Sequence, residues 1–323
     1  MTATSDSTGL GPTHEDVRFS SGVERCAAWL FRPADTDTDG DTDGDTDAGV
    51  SAPGPIVVMA HGFSGVRGMR LDAYAERFAA AGYRVLVFDY RHFGDSEGTP
   101  RNLLSISRRH ADWRAAVDYA RTLPDADPAR VVLWGTSLSG GDVLHIAARD
   151  PRIAAVIAQV PHVSGISAVG AVGPVMSARL AARGVADLAR AVLKREPLYV
   201  DAVGEPGTLA AMTAPGARSG HDEIVAQSAG VQPTEQVAAR ILLRMPFYSP
   251  GRNARRIHCP VLVQIADHDQ ITPPTVAERT ARRIRRATVR RYPMTHFEPY
   301  VAPGFDRIVT DQLGFLRDVA PAT

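Results

Sequence analysis

The sequence predicts an α/β fold, a mostly parallel central sheet with helices on both faces, interrupted by one inserted and mainly helical cap. Three observations carry that prediction. From residue 55 onward, short apolar runs alternate with longer segments of helical period, the pattern of strands joined by crossover helices. The runs are apolar almost throughout instead of alternating with polar residues, which suits strands covered on both faces. The alternation also fails between residues 162 and 257, a gap too long for an ordinary loop, so that segment must carry structure of its own.

The elements follow in order. Residues 1–15 are polar and aperiodic and read as a flexible arm. An amphipathic strand pair is expected at 17–20 and 24–31, ending at Arg32-Pro33. Buried strands are expected at 55–60 (PIVVMA), 84–88 (RVLVF), 130–134 (RVVLW), 154–159 (AAVIAQ), 260–266 (PVLVQIA) and 288–292 (TVRRY). Helices fall between them at 71–81, 105–122, 138–149, 274–285 and 304–319, long enough for right-handed crossovers. Within the gap, 172–194 is rich in Ala and Leu at spacings of three and four and predicts one long or two short helices. Gly204, Pro206 and Gly207 suggest a hairpin over 198–213, and 234–244 reads as another helix. The organisation is therefore a core at 16–161, a cap at 162–257 laid over the carboxyl edge of the sheet, and a second part of the core at 258–323; open α/β sheets bind ligands at that edge.

Composition narrows the function. With 323 residues, 44% hydrophobic and 22% charged, the chain is an ordinary globular protein. Its 36 acids balance its 36 bases, but seven of the acids are the Asp residues of the run 35–47. The remaining body is mildly and diffusely basic, which does not point to nucleic acid. The acidic loop 34–49 begins like a calcium-binding loop, with Asp35, Asp37, Asp39 and Gly40 in place. Its twelfth position is Thr46 where a bidentate Glu is required, so a solvated loop is expected. Cys26 and Cys259 are isolated and read as buried thiols, without the spacing of a disulfide framework or a zinc site. No apolar stretch is long enough to span a membrane and no secretory leader is visible, so a cytoplasmic location is expected.

The chemistry concentrates at WGTSLSGG, where a buried strand runs directly into Gly135-Thr136-Ser137-Leu138-Ser139 and then a helix. Such a turn holds a nucleophilic hydroxyl in a strained backbone, and small residues two positions to either side avoid a clash. Ser139 stands where the usual pattern has Gly, giving G-x-S-x-S. A serine hydroxyl needs a base and the base an orienting acid. Asp267 and Asp269 both follow the strand 260–266, and His296 lies in the loop after the next strand. The order Ser, Asp, His is that of one α/β architecture and differs from the chymotrypsin and subtilisin orders.

On these residues the chain resembles the α/β-hydrolase superfamily from about residue 17 to the C-terminus. The resemblance implies Ser137 as nucleophile, His296 as general base and Asp269 as acid, because the family's acid commonly lies two residues before an I/V-x-P like Ile271-Thr272-Pro273. Asp267 is the rival, otherwise a solvated or turn-capping carboxylate. It also implies an oxyanion hole from the backbone amides of Leu138 and of Phe63, the latter in the His61-Gly62-Phe63-Ser64-Gly65 loop. The stretch Asp89-Tyr90-Arg91-His92-Phe93-Gly94-Asp95-Ser96 is similar to the family's D-x-R-G-x-G-x-S loop, with His92 in place of Gly; its charges are expected to pair locally and His92 to sit at the surface. His162 is expected near the acyl pocket. His110 and His145 are given no role.

A serine at the elbow implies an acyl-enzyme, and excludes the aspartate-dependent epoxide and haloalkane branches of the superfamily. The nearer resemblance is to capped serine-aminopeptidase-like and dienelactone-hydrolase-like members, several of which are thioesterases or acyltransferases of polyketide pathways. The expected activity is hydrolysis of a carboxylic ester or thioester with an aliphatic or polyketide-like acyl group, free or carrier-bound. The alternative is transfer of that group to an alcohol by the same triad. A catalytically silent binding protein on this fold is disfavoured by the intact triad, and no metal or organic cofactor is implied.

Overall fold

The computed structural model describes residues 14–33, 53–170, 173–228 and 235–322. The acidic run and most of the N-terminal arm lie outside these residues. Strand β1 (His14–Ser21) starts two residues inside the segment expected to be an arm, and pairs antiparallel with β2 (Glu24–Phe31). Gly22, at φ +65, makes the tight turn between them. The chain continues through β3 (Gly54–Ala60), α1 (Leu71–Ala80), β4 (Arg84–Phe88), α2 (Ile106–Ala120), β5 (Ala126–Thr136), α3 (Leu138–Ala147) and β6 (Ala155–Gln159).

After the insertion described below, β10 (Val261–Ala266), α7 (Pro274–Ala281), β11 (Ala287–Tyr292) and α8 (Gly304–Val319) complete the core. The sheet has eight strands in the order β1-β2-β4-β3-β5-β6-β10-β11. From β4 to β11 every neighbour is parallel, and β2 joins β4 antiparallel. The apolar strand runs follow from this burial. Ile56 and Val58 enter one core with Trp113 of α2, Leu144 of α3 and Ala277 of α7. Val57 and Met59 enter the opposite core with Tyr74 of α1 and Val309 of α8, as the twofold side-chain period of a strand requires.

The segment between β6 and β10 contains α4 (Gly165–Gly170), α5 (Pro174–Val192), β7 (Tyr199–Val203), β8 (Ala210–Met212), α6 (Ala217–Ala226) and β9 (Gln236–Ala238), then 3₁₀ turns at Ala239–Leu243, Met245–Phe247 and Pro250–Arg256. The helix expected at 172–194 is one long helix, with Pro174 in its first turn, where a missing N–H costs nothing.

Two expectations here fail. Residues 198–213 do not form a hairpin, because β7 and β8 run parallel, with β9 antiparallel on the other side of β7. The loop between β7 and β8 carries the chain back along β7 before β8 begins opposite Asp201: Gly207 lies in that loop at φ +87, and the Gly204 N–H donates to the Met212 carbonyl where both strands end. The helix expected over 234–244 is not continuous among the described residues: Gln236–Ala238 is strand β9, and only Ala239–Leu243 is helical, as a short 3₁₀ segment. Val237, Ala238 and Ala239 are all buried in succession, a demand that β9 and the following tight turn satisfy and an amphipathic helix does not.

Candidate active site

Ser137 sits at the junction of β5 and α3 with φ +55 and ψ −120, a backbone region that non-glycine residues rarely occupy. Three backbone hydrogen bonds hold it there: its N–H donates to the Gln159 carbonyl (2.9 Å), and its carbonyl accepts from His162 (2.8 Å) and Gly141 (3.3 Å). Gly135 is obligatory, since a Cβ there would collide with the Ser139 carbonyl. Ser139 is tolerated where the pattern has Gly for a separate reason. At that position the side chain points into the core, and its hydroxyl lies 2.9 Å from the Tyr90 hydroxyl.

The loop after β11 brings His296 over this serine. Its Nε2 lies 3.0 Å from Ser137 Oγ, and its Nδ1 lies 2.6 Å from Asp269 Oδ2. Asp269 is buried and saturated with donors. Its Oδ1 accepts from the amides of Ile271 (2.8 Å) and Thr272 (2.7 Å), and its Oδ2 accepts from the Thr272 hydroxyl (2.7 Å). Burial pushes its carboxyl up, but the His296 charge and the hydrogen bonds from His296 and Thr272 outweigh that and leave it below the usual carboxylate range. Asp267, the rival, lies away from the imidazole and pairs at the surface with Arg291 (2.7 Å).

Ser137, Phe63 and Leu138 line one cavity of about 600 Å³, whose other walls include His162, Leu180 and Met245. Leu138 opens α3, so its N–H is one of the helix-terminal amides without an intrahelical acceptor. Gly62 lets the Phe63 loop lie against Ser137, since a Cβ on it would come within 3.0 Å of Ser137 Cβ.

Beneath these loops is a buried network that the sequence did not reveal. Arg109 on α2 donates to Asp142 on α3 (2.8 Å), to the carbonyls of His61 (3.2 Å) and Gly62 (3.3 Å) and to the Tyr90 hydroxyl (2.9 Å). Asp142 also accepts from the Tyr248 hydroxyl (2.6 Å). Burial disfavours the Asp142 carboxylate, yet Arg109, His110 and Tyr248 hold it far below its usual range. His110, given no role from sequence, belongs to this network through Tyr248 (3.0 Å), with His145 stacked on it at 3.7 Å. One signal was available: Arg109 and Asp142 are charges on the core-facing sides of two helices, where they are rare unless paired.

The other expectations divide. The charges of the Asp89 loop are paired, but with residues outside the loop and not locally: Asp89 and Asp95 both meet Arg67, and Arg91 meets Asp112 (2.5 Å). His92 is buried instead of at the surface, at φ +73, held by the Pro100 carbonyl (2.8 Å) and Arg108 (2.5 Å). Cys26 is buried and Cys259 only half-buried, and both are free. Among the described residues, no helix is long and apolar enough to cross a membrane.

Comparison with known proteins agrees with this geometry. Residues 51–297 match the model of the family described as serine aminopeptidase, S33. The chain is 42% identical over 306 residues to the quorum-quenching protein AidA of Acinetobacter baumannii, covering 95% of each chain. It is 31% identical over 227 residues to the thiohydrolase apmlB of Arthrinium phaeospermum, covering 68% of this chain and 73% of that one. The α/β hydrolase GrgF from Penicillium sp. sh18 superposes with a TM-score of 0.76 at 20% identity, over 95% of this chain and 99% of that one, a likeness of fold. Names among the relatives run from thiohydrolase to acyltransferase, and the chain is an enzyme of this ester- and thioester-processing class. A central sheet of eight strands joined as above, a serine elbow at the end of β5 and a match across more than half the sequence together place this chain in the serine aminopeptidase S33 family of α/β hydrolases.

Proposed function

We propose that the chain is a serine hydrolase that cleaves a carboxylic ester or thioester through an acyl-enzyme on Ser137. The observation that carries this reading is the continuous chain of contacts from Ser137 Oγ through the His296 imidazole to the Asp269 carboxylate, at the wall of a predominantly apolar cavity. As Ser137 attacks the carbonyl carbon, His296 Nε2 takes the hydroxyl proton, and Asp269 holds the proton on Nδ1 and stabilises the resulting imidazolium. The amides of Phe63 and Leu138 receive the oxyanion; each such donor is worth about 3 kcal/mol in the transition state. The imidazolium then protonates the departing alkoxide or thiolate, and a second nucleophile releases the acyl group.

The acyl chain occupies the cavity walled by Leu180, Leu242 and Met245, whose apolar surface suits an aliphatic or polyketide-like group, free or carrier-bound. The thiohydrolase and acyltransferase names among the relatives support an acyl ester or thioester as substrate. Partners of other kinds, nucleic acid or a membrane, are not part of this reading, and no cofactor takes part in the steps. The two unpaired cysteines favour action in the cytoplasm. The test is labelling with a fluorophosphonate, followed by turnover of p-nitrophenyl esters of increasing chain length. Ser137→Ala is expected to abolish both and His296→Ala to reduce both by orders of magnitude; labelling that survives Ser137→Ala overturns the proposal.

A further inference from the structure

Ser137 is flanked by two cavities that differ in size and in the residues that line them. The larger, on the Leu138 side, is the acyl cavity already described. The smaller, of about 50 Å³, shares Phe63, Ser137 and Met212 with it but is lined by His61, His221 and the general base His296. The two sides cannot exchange roles. In acyl transfer both the departing atom and the incoming nucleophile must exchange a proton with the base, so both belong on the side where His296 stands, and the acyl chain belongs on the other.

The wall of the smaller cavity is partly made by the cap. Helix α6 lies close against the loop that carries His296: a Cβ on Gly220 would meet the Phe297 side chain at 2.8 Å, and the Phe297 ring packs edge-on against the His296 ring at 5.2 Å. That contact places the next residue, His221, at the cavity. His221 is buried and its Nδ1 has no hydrogen-bond partner, with the Asp222 carboxylate 3.8 Å away. His61 is buried too, and its Nε2 is likewise without a partner, 3.9 Å from Asp89. Both unsatisfied nitrogens are enclosed beside these carboxylates, so the two rings border the small space with their remaining edges and narrow it next to His296.

We infer that this chamber seats the nucleophile of the second half-reaction, that His221 positions it, and that its size makes water, not a bulky alcohol, the acyl acceptor. This rests on the acyl-enzyme reading above. A water bound there attacks the carbonyl carbon of the Ser137 ester, forming one carbon–oxygen bond and passing a proton to His296 Nε2. The bond to Ser137 Oγ then breaks, Oγ recovers that proton, and the free acid leaves. A volume of about 50 Å³ holds one or a few waters, or an alcohol of very few heavy atoms. The enzyme is thereby a hydrolase in preference to a transferase, by exclusion of the competing acceptor.

The experiment is the partition of one acyl-enzyme between acceptors. The wild type is acylated with p-nitrophenyl butyrate in the presence of methanol or 1-butanol, and the ratio of new ester to butyric acid is measured by chromatography. Both products arise from the same intermediate, so the ratio is independent of how much of a variant is folded. Wild type is expected to form methyl ester and at least tenfold less butyl ester. His221→Ala and Met212→Ala enlarge the chamber from two sides and are expected to raise the butyl ester ratio tenfold or more. His221→Asn, which keeps a polar group, is expected to stay near wild type. Equal transfer to both alcohols by the wild type, or an unchanged ratio in both alanine variants, overturns the inference alone. A protein in which the fluorophosphonate forms no adduct on Ser137 overturns the acyl-enzyme reading first, and this one with it.

Discussion

The substitution Asp269→Asn tests the assignment of the acid at the level of single hydrogen atoms. Asp269 Oδ1 accepts two backbone amides, from Ile271 and Thr272, so an asparagine must keep its oxygen there and turn its NH₂ toward the position of Oδ2. That position faces His296 Nδ1 at 2.6 Å. A donor at that place forces the imidazole to present an unprotonated Nδ1 and therefore to carry its proton on Nε2, where it donates to Ser137 and can no longer accept from it. The fold is unchanged while the base is held in the wrong tautomer. A loss of about 10⁴ in kcat is expected, which is about 5 kcal/mol of transition-state stabilisation. Asp267→Asn removes only a surface pair with Arg291, half-exposed on both sides, worth at most about 1 kcal/mol in stability; its kcat should remain within about twofold of wild type on the same grounds. The assay is steady-state turnover of a p-nitrophenyl ester, with the thermal midpoint of each variant measured to exclude unfolding. An Asp269→Asn enzyme within tenfold of wild type, or an Asp267→Asn enzyme that is the more impaired of the two, refutes the reasoning.

Further consequences concern stability and specificity. Arg109→Met leaves Asp142 buried without its cation and the carbonyls of His61 and Gly62 without their donor; urea unfolding is expected to show a loss of about 3–5 kcal/mol, partly recovered by adding Asp142→Leu, and a loss under 1 kcal/mol contradicts the importance of the pair. Burial lowers His162 to about 4, so the unfolded chain binds its proton from about pH 6.5 downward while the folded chain does not. Stability from this group is intact above pH 6.5 and is lost as pH falls toward 4, by about 2 kcal/mol at pH 5; His162→Gln should flatten the unfolding free energy against pH by that amount, and an unchanged slope contradicts it. Leu180 lines the cavity proposed to hold the acyl group, and Leu180→Phe should shift the preferred p-nitrophenyl ester toward shorter chains; an identical chain-length profile would mean that the acyl group lies elsewhere.

The core was legible because burial on both faces leaves a strong mark on sequence. Val57, Val85, Val132, Val156 and Val263 sit in runs that are apolar at nearly every position, and parallel strands covered on both sides demand this. The order of Ser137, Asp269 and His296 was legible for a related reason, since each follows a strand end and parallel strands bring all their carboxyl ends to one edge. His92 shows a signal that was present and misread. The pattern it interrupts has Gly there, and the residue adopts φ +73, so the expected glycine marked a left-handed backbone and gave no information on exposure.

What was not legible is whatever depends on pairing across the fold. Arg109 and Asp142 satisfy one another over 33 positions, and Gln159, Gln264 and Gln312 bond among themselves from two strands and a helix; no local spacing announces either group. The cap adds a second difficulty, since its elements are short. Strands β8 and β9 have three residues each, fewer than one period of the helical pattern needs, so Val237-Ala238-Ala239 fits either reading until its partner is known. That partner is β7, where Val237 pairs with Val200. The same shortness bears on function. Such small elements can place α6 against Phe297 only through close contact, and Gly220 provides it without a side chain in the way. A larger residue at 220 should therefore lift His221 off the chamber while leaving the contacts between Ser137, His296 and Asp269 in place. On that reasoning Gly220→Val is expected to raise transfer to 1-butanol relative to hydrolysis as His221→Ala does, while fluorophosphonate labelling of Ser137 continues; a variant that labels and partitions like the wild type would show that α6 does not set the acceptor.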